Sequence, residues 1–191
     1  MAQEENGQAQ IQEAVEENPV AEDAQEVAPA AAKGGRCIIR EARPQDLPAI
    51  EALLASEGMY SSGLRPHRFL VAEVGGEIVG CGQIRRYPGL RELGSLAVRR
   101  KWRGQGIGSA LVERLLEHGG GELYLLCAPR LEGFYRRFGF RPLEFGEMPL
   151  MLKIKYILCR LGWIGGIGGR IVAMRRDSSG KELRGDEGLD P

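Results

Sequence analysis

Residues 99–117, RRKWRGQGIGSALVERLLE, hold the types and spacing best suited to chemistry. Gly104, Gly106 and Gly108 sit at alternate positions, and Arg99, Arg100, Lys101 and Arg103 stand just upstream. With no side chains at three positions, backbone N–H groups can come close to an anion and surround it. An apolar helix pattern starts at once, with Ile107, Ala110, Leu111 and Leu115 on one face. Its free N–H groups and positive dipole end would point at the same place. Loop, charge and helix start together suit a diphosphate. Ser109 occupies the position where a GxGxxG motif needs its last glycine, and no GK[ST] ending follows. A dinucleotide fingerprint and a P-loop are therefore both disfavoured.

The elements that would hold this loop read as follows. Cys37–Arg40 is a first strand, and Pro44 opens a helix to about Ser56 with Leu47, Ile50 and Leu54 on one face. RFLVAEVGGEIVGCGQIRRY is a hairpin around Gly75–Gly76. LRELGSLAV is the next strand and runs into the glycine loop and a helix near 106–118. ELYLLCA is a short buried strand, Pro129 opens a helix that Gly139 ends, FRPLE starts a sixth strand, and RIVAMRR is the last. Strands and helices in this order predict an α/β domain, a mixed sheet carrying helices on its faces. GWIGGIGGR at 162–170 reads as a connector, with Trp163 and Ile164 docking on the core.

LAVRRKWRGQGIGSALVERLLE resembles the acetyl-CoA-binding motif of the GNAT superfamily of N-acyltransferases, Arg/Gln-x-x-Gly-x-Gly/Ala after a strand ending in L-x-V. Arg103–Gly104–Gln105–Gly106–Ile107–Gly108 meets it. FYRRFGF at 134–140 resembles the family's Tyr-x-x-x-Gly-Phe segment, and the element order from Cys37 onward matches too. The resemblance covers roughly residues 37–145. It implies a GNAT-type mixed, mostly antiparallel twisted sheet flanked by helices. It implies that the backbone of Leu96, Ala97 and Val98 holds the pantetheine arm, one N–H polarising the thioester carbonyl. Arg103, Gly104, Gln105, Gly106, Ile107 and Gly108, with Ser109 opening the helix, would hold the pyrophosphate. The activity implied is acetyl transfer from acetyl-CoA to a primary amine by direct attack. Tyr135 stands where the family often sets a tyrosine beside the CoA sulfur, as the acid for the departing thiolate. Glu92 occupies a strand position where some members carry a catalytic glutamate, and is the candidate base; the alternatives are an exposed carboxylate paired with Arg91, or a water chain. The opening strand and helix and the glycine-loop segment also look like amino-acid N-acetyltransferases. The acceptor is then a small amine or amino acid, or a protein lysine or N-terminus.

Composition sets further bounds. The chain has 191 residues with 26 acids and 26 bases. Thirteen acids and four bases lie in residues 1–36 and 177–191, leaving 13 acids and 22 bases between. A basic body favours an anionic ligand, which CoA satisfies. The expected organisation is an acidic disordered tail over 1–36, an acetyltransferase domain over 37–176 and a second disordered tail over 177–191. Four widely spaced cysteines with no CxxC argue against zinc, and Cys37, Cys81 and Cys127 read as small core residues of a reducing compartment. No metal is expected, and His67 and His118 carry no assigned chemistry. Lys153, Lys155, Arg160 and Arg170 interrupt the apolar stretch 150–174, so no membrane span is expected, while an interfacial helix over 150–161 stays open. The expected location is cytoplasmic, and a homodimer stays open. A non-catalytic acyl-CoA sensor or interaction module is the second reading. Nucleic-acid binding is disfavoured, for no aromatic platform or recognition helix accompanies the charge.

Overall fold

The computed structural model describes residues 36–59, 64–161 and 170–177. The expectations for 1–35 and 178–191, and for Trp163 and Ile164, lie outside the described residues.

Among the described residues, seven strands form one sheet in the order β1-β2-β3-β4-β5-β7-β6. β1 (Cys37–Glu41), β2 (Phe69–Val74), β3 (Glu77–Tyr87) and β4 (Leu90–Val98) form an antiparallel meander. β5 (Leu123–Cys127) is parallel to β4, and β7 (Val172–Arg176) pairs antiparallel with β5 and with β6 (Arg141–Pro142). The sheet is thus mixed and mostly antiparallel, as the resemblance implies. The strand expected from FRPLE shortens to Arg141–Pro142. Pro142 has no N–H to donate, and β6 lies at the sheet edge, where a proline is tolerated.

Among the described residues, four α-helices cover the sheet: α1 (Leu47–Ser56), α2 (Ile107–Gly119), α3 (Glu132–Arg136) and α4 (Leu150–Arg160). The i, i+4 and i+8 positions Ile107, Leu111 and Leu115 of α2 are buried with Leu93, Leu123 and Leu125 in the larger core. Leu111→Ala there costs about 3 kcal/mol. On the other face, α1 buries Ile50, Leu53 and Leu54 against Phe69, Val71 and Cys81. Further along that face α4 lays Leu152 on Leu90, Tyr124 and Ala173. α4 is the one helix that the element order read from sequence omits. All four cysteines are free, with Cys81 and Cys127 buried.

Candidate active site

The glycine loop turns from β4 into α2. Gly104 and Gly106 have φ of +75° and +81°, in the left-handed region that costs a side chain strain. Gly106 is the N-cap of α2 and has no side-chain cap, so the first N–H groups of the helix are left for a ligand. Ile107 is buried beneath and pins the helix start. A Cβ on Gly108 would stand 3.7 Å from the Phe134 ring and 3.8 Å from Val98. The loop, the end of β4 and α3 therefore meet at one point. Ser109 follows in the first turn of α2.

The basic residues divide. Lys101 Nζ donates to Glu77 at 2.9 Å, and Arg99 also faces Glu77, with Nε on the Ile78 carbonyl. Arg103 Nε donates to the Val98 carbonyl at 2.9 Å while its guanidinium pairs with Glu57, tying α1 to the end of β4. Gln105 donates its amide to the Lys101 carbonyl. Arg103 and Gln105 thus shape the loop through their contacts with Val98, Glu57 and Lys101. Arg100 is exposed and has no acidic partner among the described residues.

β4 carries a bulge. Gln83 pairs with Gly94 and Cys81 with Ala97, so two residues of β4, Ser95 and Leu96, oppose Gly82 alone. Ser95 takes φ +52°, the positive-φ non-glycine among the described residues. β4 and β5 register only at Glu92 and Tyr124. Beyond that pair, the β5-facing edge at Leu96, Ala97 and Val98 has no strand partner among the described residues. An open parallel edge offers backbone groups to an extended ligand.

Glu92 is 4% exposed. Its partner is Lys155 of α4, whose Nζ reaches Glu92 Oε2 and also lies 3.3 Å from the Tyr87 hydroxyl. This corrects the alternative of an exposed carboxylate paired with Arg91. Successive strand residues point to opposite faces, and Arg91 instead donates to the Gly120 carbonyl behind α2. Cross-strand from Glu92 stands Arg85. Its guanidinium donates to Ser95 Oγ at 2.7 Å, and a Gln83 amide oxygen turned toward it accepts from Nε at 3.1 Å. No carboxylate pairs with Arg85 among the described residues. The patch between α1 and α4 holds two cations and one carboxylate, leaving one positive charge over.

Sequence reading missed Arg85, Ser95 and Lys155. Gln83, Arg85 and Tyr87 alternate along a strand, and that period was the available signal for the first. Lys155 carries no local signal.

Tyr135 is 6% exposed on α3, edge-on to Phe134 with centroids 5.0 Å apart and also against Phe140. Burial raises its phenol well above the ordinary range, with Cys127 adding to the effect, so the hydroxyl keeps its proton. That hydroxyl has no hydrogen-bond partner among the described residues. Tyr135 belongs to the α2-side core, whereas Glu92 lies on the α4 side. The open β4–β5 edge separates the two. His67 sits in the turn before β2, and His118 Nδ1 contacts the Arg114 carbonyl within α2. No cluster of metal-ligating residues occurs among the described residues.

Comparison with known proteins bears on the family and the fold. The profile of the Acetyltransferase (GNAT) domain matches residues 65–142. An uncharacterized N-acetyltransferase of Chlorobaculum tepidum is 34% identical over 127 residues, 58% of this chain and 79% of the relative. An amino-acid acetyltransferase of Mycobacterium tuberculosis is 31% identical over 144 residues, 68% of this chain and 82% of the relative. Among solved structures, Rv2747 of Mycobacterium tuberculosis, in complex with CoA and NLQ, superposes with a TM-score of 0.57 at 26% identity, covering 73% of this chain and 98% of that one. N-acetylglutamate synthase of Neisseria gonorrhoeae, with CoA and N-acetyl-glutamate, gives 0.61 at 22% identity over 76% of this chain. The match spans 36% of that synthase and speaks to fold alone.

Proposed function

The chain belongs to the GNAT superfamily of acetyl-CoA-dependent N-acetyltransferases, and on that premise we propose that its acceptor is the α-amine of a small, carboxylate-bearing molecule, an amino acid. The observation that carries this reading is Arg85. A half-buried guanidinium with only neutral partners, beside an already paired Glu92–Lys155, calls for an anion. It leans on Ser95, one residue before the open edge at Leu96, so a carboxylate held by Arg85 would bring its adjacent amine toward the acetyl group. The amino-acid acetyltransferase among the relatives supports the same class.

In this reading the diphosphate of acetyl-CoA lies on the N–H groups of Gly106, Ile107, Gly108 and Ser109. Arg103, Gly104 and Gln105 keep the loop in shape. The pantetheine arm adds to β4 along Leu96, Ala97 and Val98, and one backbone N–H there takes the growing negative charge of the carbonyl oxygen. A free amine of pKa about 10 is mostly protonated at neutral pH and must lose that proton to attack. Glu92 receives it, directly or through water. The neutral amine then attacks the thioester carbon, the C–S bond breaks, Tyr135 gives its proton to the departing sulfur, and the second proton shed by the acetylated nitrogen returns to Tyr135 through water. Acid and base reach the reacting atoms from opposite faces of the sheet, through the gap between β4 and β5.

Free-thiol release from acetyl-CoA with a panel of amino acids, polyamines and lysine peptides tests the acceptor. Release with an amino acid is expected. Arg85→Gln should raise the acceptor KM by roughly a hundredfold and leave the acetyl-CoA KM alone. Release with peptides or polyamines only, or an acceptor KM that ignores Arg85, would overturn the amino-acid reading.

A further inference from the structure

α4 has two faces. Its inner face carries Leu152 into the core and Lys155 onto Glu92. Its outer face presents Leu150, Met151, Ile154 and Ile157, continued by Leu161 and flanked by Phe145. Leu150 is 73% and Leu161 65% exposed, values at which a large aliphatic side chain is in water along most of its length. Leu150, Ile154, Ile157 and Leu161 follow one another at spacings of four, three and four, a continuous stripe on one side of the helix. Phe145, Tyr156, Ile157, Arg160 and Leu161 bound a shallow depression of about 370 Å³ beside it. A contiguous apolar patch of this kind on a small domain marks a docking surface.

The rim charges choose the occupant. Lys153 and Arg160 flank the stripe, and α4 has no acidic residue. Lys153 lies over Phe145 and donates to the Gly146 carbonyl, and Arg160 lies over Tyr156. Neither cation has an acidic partner among the described residues. Of the nearby acids, Glu147 is turned back onto the Glu144 backbone N–H at the turn before α4, and neither Glu144 nor Glu147 forms an ion pair with Lys153 or Arg160. Both cations lie on the same flank of the stripe, so a second copy laid antiparallel along this face would set cation against cation at the rim, an arrangement that helical pairing disfavours. The sequence beyond Leu161 contains Trp163, Ile164 and Ile167, and no charge before Arg170. Leu, Ile and Phe toward the oil and Lys and Arg at the margin suit an anionic bilayer surface. We propose that the outer face of α4 docks peripherally on anionic lipid headgroups, with Leu150, Ile154, Ile157 and Leu161 dipping into the acyl boundary. No helix among the described residues is long and apolar enough to cross a membrane, so the contact is interfacial.

The test is sedimentation of the full chain with vesicles of phosphatidylcholine alone and of phosphatidylcholine mixed with phosphatidylglycerol. The chain should sediment with the mixed vesicles, weakly with the neutral ones, and less as salt rises. K153E/R160E should lower partitioning by roughly twentyfold, because each cation near an anionic surface is worth a factor of about five. I154E/I157E should abolish it. A thermal shift on adding acetyl-CoA, retained in both variants, shows that each is folded. Should I154E/I157E fail to fold, the exposed-charge variant still decides. Native protein that ignores the mixed vesicles overturns the proposal, as does sedimentation that both variants leave unchanged. Sedimentation equilibrium of the free chain covers the competing occupant: a dimer that I154E/I157E makes monomeric, with vesicles ignored, would assign the face to a second copy.

Discussion

In the proposed mechanism, proton transfer rests on two side chains in very different surroundings. Tyr135 is a phenol buried among aromatic rings, held neutral by desolvation, and so equipped to donate and not to accept. Tyr135→Phe keeps the packing and removes only the hydroxyl. It should lower kcat by about 10²–10³ while leaving the melting temperature and acetyl-CoA binding nearly unchanged. Glu92, the proposed base, is held by Lys155, so the roles of the two must be separated by experiment. Glu92→Gln should lower kcat by about a hundredfold at neutral pH. A loss below tenfold would instead assign the proton to water. Lys155→Met leaves a buried carboxylate unpaired and should destabilise the fold by about 3 kcal/mol, read in a denaturant titration.

Two irregular elements make the proposed donor site. The Gly104–Gly106 turn presents the first N–H groups of α2, and a Cβ on Gly106 would be forced into the left-handed region. Gly106→Ala should cost about 1–2 kcal/mol of stability and weaken acetyl-CoA binding by roughly tenfold, measured by calorimetry. The bulge at Ser95 does the second job. It turns the end of β4 off the β5 ladder and keeps Ser95 Oγ under the Arg85 guanidinium. Strain at a positive-φ serine persists there because both strands over-determine it.

At the scale of the whole molecule, stability should fall at both pH extremes for traceable reasons. Asp46 is buried between the Arg40 guanidinium and the Arg43 backbone N–H, and Arg40 above all holds its carboxyl below the usual value. Such a group stabilises the fold fully above the unfolded aspartate pKa of about 3.9 and stops doing so as the pH falls through its depressed value. Asp46→Asn should flatten the acid limb of a melting-temperature profile. On the alkaline side, burial pushes the Cys81 thiol to about 12 and Cys127 to about 11, and raises Tyr135 as well. These neutral groups stabilise the fold below the unfolded thiol pKa of about 8.5 and lose that contribution as the pH climbs through the folded values. The melting temperature should therefore decline between about pH 8.5 and 11, and less steeply in a C81A/C127A variant.

The sequence alone determined the parts that are local. Strand alternation, the period of α2 and the hairpin at Gly75–Gly76 are short-range patterns, and the mixed sheet follows from their order. The Arg103–Gly108 loop was legible because a strand, a run of glycines and a helix start are contiguous in the chain. α4 was hidden by its mixed character, apolar enough to suggest an interface and basic enough to blur the face that packs. The proposed acceptor patch was decided only by tertiary structure. Arg85 and Glu92 become neighbours through the register of β3 on β4, and Lys155 arrives from a helix 63 residues further on. Burial of Glu92, with its choice of Lys155 over the adjacent Arg91, depends on which sheet face each side chain takes and on what packs there. No spacing along the chain contains that information.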